Sequence, residues 1–241
     1  MKKQILKLLL ILISFKSFGQ DTIAYQPTHT QIFSLSPISK KVDKVNGLVF
    51  GVGHVDNKRV KAQRINGLNL EVNPAPIAGA LIACVALIYL PDIIKNNTFK
   101  SDSINKFKIE DFKSTPDLRL NGINISTGCF FIPTTINGLN ISLGNKFKRF
   151  NGLSIAPLGT IAGDFNGLGI GFLNTNTNLN GVSLGIYNQT FLLKGLQFGM
   201  INQVKTSHGI QIGIYNRSYS RGLQLGFWNK NSKHSFPLIN F

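Results

Sequence analysis

GLGIGFLN (167–174), GVSLGIYN (181–188), GLQFGMIN (195–202), GIQIGIYN (209–216) and GLQLGFWN (222–229) are near-copies of one unit, each starting 13 or 14 residues after the last. Every copy opens on a glycine (Gly167, Gly181, Gly195, Gly209, Gly222) and carries a second at Gly171, Gly185, Gly199, Gly213 or Gly226. Each closes on an asparagine: Asn174, Asn188, Asn202, Asn216 and Asn229. Self-similarity at a fixed period decides the architecture before any local propensity does. Looser copies begin at Asn46 (NGLVFG), Asn66 (NGLNLE), Asn121 (NGINIS), Asn137 (NGLNIS) and Asn151 (NGLSIA), so the repeat reaches across most of the chain.

Inside each unit the apolar residues alternate with small or polar ones, the period of a strand rather than a helix. One side carries Leu168, Ile170 and Phe172, then Val182, Leu184 and Ile186, then Leu196, Phe198 and Met200. It continues with Ile210, Ile212, Ile214 and with Leu223, Leu225, Phe227. The other side carries the glycines, a Gly, Ser or Gln between them, and an end position held by Leu173, Tyr187, Ile201, Tyr215 or Trp228. The links TNTNLN, QTFLLK, QVKTSH and RSYSR are mostly polar and read as turns, and the Asn-Gly pairs suit positive φ.

Two architectures accommodate a strand-plus-link unit of this length. The sequence favours an all-β, antiparallel meander closed as an outer-membrane β-barrel. Its spanning strands need about 9–11 residues, and Leu168, Ile170, Phe172, Leu196, Phe198, Ile210, Ile212, Leu223, Leu225 and Phe227 would face lipid. Tyr187, Tyr215 and Trp228 would then lie at the membrane interface. The alternative is a β-solenoid, in which each unit is one coil and the Asn and Gln columns become ladders. Against the solenoid, the links offer few apolar residues at fixed positions to fill its second side.

The units GLQFGMIN, GIQIGIYN and GLQLGFWN resemble a poorly characterised family of bacterial surface-repeat proteins, built from Gly-aliphatic-Gln-aliphatic-Gly-x-x-Asn units behind an export signal. The resemblance covers residues 167–229 well and the earlier units weakly. It implies surface or outer-membrane association, and brings no catalytic residues. A lipobox cysteine, found in the lipoprotein members, is missing.

Residues 1–20 have the layout of a secretory signal: Lys2 and Lys3, an apolar stretch from Ile5 to Phe15, and a cleavage region ending at Gln20. Loss of Lys2, Lys3, Lys7 and Lys16 lowers the formal charge from +16 by four, to +12. After an N-terminal segment (21–45) come the first repeat units (46–73), an interruption (74–117) and the regular repeat region (118–241). Within the interruption, IAGALIACVALIYL (77–90) reads as one apolar helix, too short to span a bilayer. Cys84 and Cys129 read as structural thiols, with a disulfide as the alternative.

Chemistry is sparse. His29, His54, His208 and His234 have no metal-ligand spacing, and no carboxylate pair, phosphate loop or nucleophile motif occurs. The expectation is a protein without cofactor, metal or catalytic residues. Its basic charge points to outer-membrane lipid or surface polysaccharide as partner, or to another protein, and not to nucleic acid.

Overall fold

In a computed structural model, residues 29–54, 62–74, 117–128 and 132–241 are described, and they form eleven strands. These are β1 (His29–Ser36), β2 (Val42–Gly51), β3 (Ala62–Glu71), β4 (Asp117–Gly128), β5 (Thr134–Ile155) and β6 (Gly159–Ile170). They continue with β7 (Leu173–Leu193), β8 (Leu196–Ser207), β9 (Ile210–Ser218), β10 (Leu223–Lys230) and β11 (Ser235–Asn240).

The strands pair in chain order, and each pairing from β1 to β10 is parallel. Parallel neighbours that follow one another in sequence, with like residues in register, make a β-solenoid of about ten turns. The antiparallel barrel expected from the sequence is therefore corrected. In an antiparallel meander, successive residues equivalent by repeat cannot all lie side by side. Here Asn66 lies against Asn121, Gly67 against Gly122 and Leu68 against Ile123.

Two features of the sequence reading change with the architecture. Most of the link residues are strand and not turn: β7 runs unbroken through NTNTNLN and QTFLL and β8 reaches Ser207, so the links supply the second side of the coil. The Asn-Gly pairs also lie within strands. Gly167 has φ +130°, and a Cβ there would land on the carbonyl oxygen of Gly152 in the coil before, so the column excludes side chains. The interruption leaves the stack intact, because β3 pairs directly with β4 from Ala62–Asp117 to Glu71–Ser126. The helix expected at 77–90, the signal at 1–20, and Cys84 and Cys129 lie outside the described residues.

Two columns of the interior face each other, beside further buried residues such as Leu118, Phe147, Ala162 and Val204. One is apolar for eight coils, with Val45, Ile65, Leu120, Ile136, Phe150, Phe165, Leu179 and Leu193 all buried. In the next coil it becomes polar at Ser207, stacked on Leu193. The facing column, four residues later in sequence, runs Val49, Asn69, Asn124, Asn140, Ser154, Gly169, Ser183, Gln197, Gln211 and Gln224. Their volumes compensate. Phe150 is matched by Ser154 and Phe165 by Gly169, whose absent Cβ leaves room for the Phe165 ring. Where the first column shrinks to Ser207, the second grows to Gln211. Interiors pack to near-crystalline density, so bulk removed on one side must return on the other.

The glutamines are buried and bond along the stack. Gln211 donates to Gln197 Oε1 at 3.0 Å, Gln224 to Gln211 Oε1 at 2.8 Å, and Asn240 to Gln224 Oε1 at 3.0 Å. Asn240 belongs to β11, the one antiparallel strand, which folds across β10 and ends the ladder. Phe241 lies beside that cap and is largely exposed.

Gln211→Leu alone leaves Gln197 Oε1 and Gln224 Nε2 buried without their ladder partner, at about 1–3 kcal/mol each. We expect the single variant to be destabilised by about 2–5 kcal/mol on that basis. Replacing Gln197, Gln211 and Gln224 together with Leu should cost less than three times as much. Urea unfolding of both variants checks this; strictly additive losses would show that the ladder is not the unit of stability.

Candidate docking face and its surroundings

Alternation places the aliphatic positions of every unit on the outside of the solenoid. Three columns result. The first is Leu48, Leu68, Ile123, Leu139, Leu153, Leu168, Val182, Leu196, Ile210 and Leu223. The second is Phe50, Leu70, Ile125, Ile141, Ile155, Ile170, Leu184, Phe198, Ile212 and Leu225. The third includes Val52, Val72, Phe172, Ile186, Met200, Ile214 and Phe227, with Thr127 a polar member. Phe198 and Ile214 are each 53% exposed and Phe227 76%. All ten residues expected to face lipid are thus brought onto one continuous sheet face. It points to solvent, neither into the core nor around a barrel.

With strands about 4.8 Å apart and side chains repeating about every 6.8 Å along a strand, the face measures roughly 43 Å by 14 Å between its outermost columns. Contiguous apolar patches of this size mark interaction surfaces. Two and four residues before the first aliphatic column, on the far side of the glycine column, runs a polar border. Its inner row is an exposed amide ladder: Asn66 donates to Asn46 at 2.7 Å, Asn121 to Asn66 at 2.8 Å and Asn137 to Asn121 at 2.7 Å. The ladder continues through Asn151 and Asn166 to Asn180. Lys194, His208 and Arg221 take over that position in the last coils. The outer row stacks Lys44 on Arg64 and Arg64 on Arg119, and carries Arg149 farther along. Asp164 answers Arg149 at 3.0 Å.

The closing asparagines of the sharp units are not on this surface. Asn174, Asn188, Asn202, Asn216 and Asn229 are buried and bonded in series, at 3.1, 2.9, 2.8 and 2.7 Å. Each of the first four also donates to a backbone carbonyl of the following coil, as Asn188 does to Phe198 O at 3.0 Å. These residues, with the glycine columns, are architectural. Tyr187 is buried too: its hydroxyl donates to Gln203 Oε1 at 2.9 Å, and burial pushes its pKa up.

One cluster had no signal in the sequence. His54, Glu71 and Ser36 come from three different coils and are all buried. His54 Nδ1 lies 2.5 Å from Glu71 Oε1, and Ser36 Oγ donates to the same oxygen at 2.7 Å while accepting from Gly53 N–H at 3.1 Å. The carboxylate sits between the imidazole and the hydroxyl, so His54 is not placed to activate Ser36 as a nucleophile. Burial works to raise the Glu71 pKa. The hydrogen bond and charge of His54, with hydrogen bonds from Ser36 and Asn69, outweigh it and hold the carboxyl below its ordinary value. Among the described residues no group of three or more His, Cys, Asp or Glu could hold a metal ion, and no helix is long and apolar enough to cross a membrane.

No family model, curated protein or solved structure matches this chain.

Because the folded pKa of Glu71 is depressed, its contribution to stability is complete above the ordinary carboxylate value of 4.5 and drains away as the pH falls through the lower folded value. Glu71→Gln should therefore flatten the acid side of the Tm–pH profile relative to wild type. Melts of the two proteins that fall in parallel below pH 4.5 would remove the charge from this account.

Proposed function

We propose that this chain is an exported, non-enzymatic β-solenoid whose working surface is the outward apolar sheet face, through which it binds at the cell surface. The observation that supports this reading is the unbroken run of aliphatic and aromatic side chains along the first two columns of that face. Leaving such a surface in water is unfavourable by about 25 cal/mol for each Å² of apolar area. A face of this regularity therefore has its best explanation in a partner that covers it. The glycines and inner asparagines build and align the coils. The resemblance to surface-repeat proteins and the signal-like N-terminus agree with export.

A second reading has its own observation. The exposed Asn46–Asn180 ladder, with Lys44, Arg64, Arg119 and Arg149 beside it, offers repeating amides and cations to an acidic polysaccharide. That site would leave the apolar face unexplained, so the face takes precedence.

Phe198→Asp/Ile214→Asp places two carboxylates on the face without touching either interior column. We expect the double variant to keep the far-UV spectrum and unfolding midpoint of wild type. In bacterial cells it should leave the envelope fraction for the soluble one, while wild type stays with the envelope. Equal partitioning of the two folded proteins would overturn the reading.

A further inference from the structure

We infer that the surface covering this face is an anionic lipid membrane, on which the solenoid lies flat with its long axis in the membrane plane. The inference rests on reading the face as the working surface and adds what that surface meets. Three observations point to lipid.

The first is the absence of recognition features on the face. Its first two columns carry no charge and no hydrogen-bonding side chain over ten coils, only Leu, Ile, Val and Phe. A protein partner would have to match a row of near-identical side chains with its own. Acyl chains conform to them without any such match, and an amphipathic element buries its apolar side roughly 5–10 Å into the headgroup boundary.

The second is charge. Along one edge of the face the outward positions carry Lys44, Arg64, Arg119, Arg149, Lys194 and Arg221. Lys44, Arg64 and Arg119 are stacked rung on rung, an arrangement that repels itself unless anions lie alongside. Headgroup phosphates and anionic lipids supply those anions at the depth where the border would sit. A second copy of the chain would not. Two of the described carboxylates near this edge are already engaged, Asp164 by Arg149 and Asp117 by Arg119 and Lys148, so two such faces packed together would bring cations with few acids to meet them.

The third is the opposite edge, where Tyr215 and Trp228, partners in the strand register, directly follow the third aliphatic column in sequence. Trp228 is 45% exposed. Rings with an apolar body and a polar tip favour the membrane–water boundary.

Trp228 is the chain's one tryptophan, so its fluorescence reports on this edge alone. Purified full-length protein would be titrated with vesicles of phosphatidylglycerol mixed into phosphatidylcholine, and with pure phosphatidylcholine. A blue shift of Trp228 emission with the anionic vesicles, and much weaker binding to the neutral ones, is the expected result. Phe198→Asp/Ile214→Asp should abolish the shift. Arg64→Gln/Lys194→Gln/Arg221→Gln should weaken anionic-vesicle binding on the order of a hundredfold, each cation near such a surface contributing about a factor of five. Unchanged binding in that triple variant, or equal binding to both vesicles, would overturn the electrostatic part. No binding to either vesicle would overturn the lipid assignment. If the double variant still left the cell envelope in that case, the face would remain the working surface and its partner would be a protein. Sedimentation as a dimer that the double variant disrupts would also overturn it, in favour of a second copy.

Discussion

Every column of this solenoid must be compatible with itself, because each residue's nearest neighbour across the strand is its own equivalent about 4.8 Å away. That constraint sorts the residue types. Aliphatic side chains tolerate their own kind and form the outward columns. Primary amides do better than tolerate it, since each carries both a donor and an acceptor and can bond in series without limit. Four such series run here: the exposed Asn46–Asn180 row, the buried Asn69–Asn140 and Asn174–Asn229 rows, and the Gln197–Gln224 row that Asn240 terminates. Glycines can stack where the chain must pass close to the coil before it. Charges are what the arrangement accepts least, which is why the cationic run Lys44–Arg64–Arg119 stands out.

The polarity of the coil follows from the same sorting. In most β-proteins with one buried face, the apolar alternation points inward. Here the most regular apolar alternation points outward, and the interior of the last coils holds amides. Such an interior is stable only as a set, since each amide satisfies the next and a single gap leaves buried polar atoms unpaired. Much of the apolar filling lies in the other column, where Phe150 and Phe165 stack with ring centroids 5.0 Å apart, with Leu118, Phe147 and Val204 buried beside it. As that column gives way to Ser207, the amide column carries the packing instead. The transition from an apolar to a polar interior is gradual along the axis, and no coil lacks bulk on both sides.

Much of this was legible in the sequence, and the failures are specific. The eight-residue unit, its strand character, the one-sidedness of Leu168, Ile170 and Phe172, and the equivalence of the asparagines all follow from the period of 13 or 14. What misled was the expectation that a large apolar face must be either the outer wall of a closed barrel or the core of a coil. Given that expectation, QVKTSH and RSYSR lack the inward apolar residues a solenoid needs, and the barrel follows. Val204 and Ser218 do point inward from those links, and both are buried, one apolar and one not. The polar inward residue is satisfied within its own link, Ser218 Oγ accepting from Ser220 N–H at 3.2 Å, which composition does not reveal. The His54–Glu71–Ser36 cluster was invisible for a related reason. Ser36 and Glu71 share one register position on either side of Gly51, His54 comes from the coil between them, and only the register unites the three.

Register also explains why the apolar face cannot simply be turned inward to make a conventional core. A shift of one residue would exchange the two sides of every strand at once. Leu168, Ile170 and Phe172 and their counterparts would then enter a space now lined partly by glycine, where the Phe165 ring already lies against the missing side chain of Gly169. Three bulky columns from one side do not fit opposite Leu179 and Leu193 in so thin a coil. The amides would meanwhile leave the ladders that only a dry interior makes strong. The glycine columns thus fix which side is inner. The outward aliphatic face is then a consequence of the tight, glycine-lined interior, and what covers it must come from outside the solenoid.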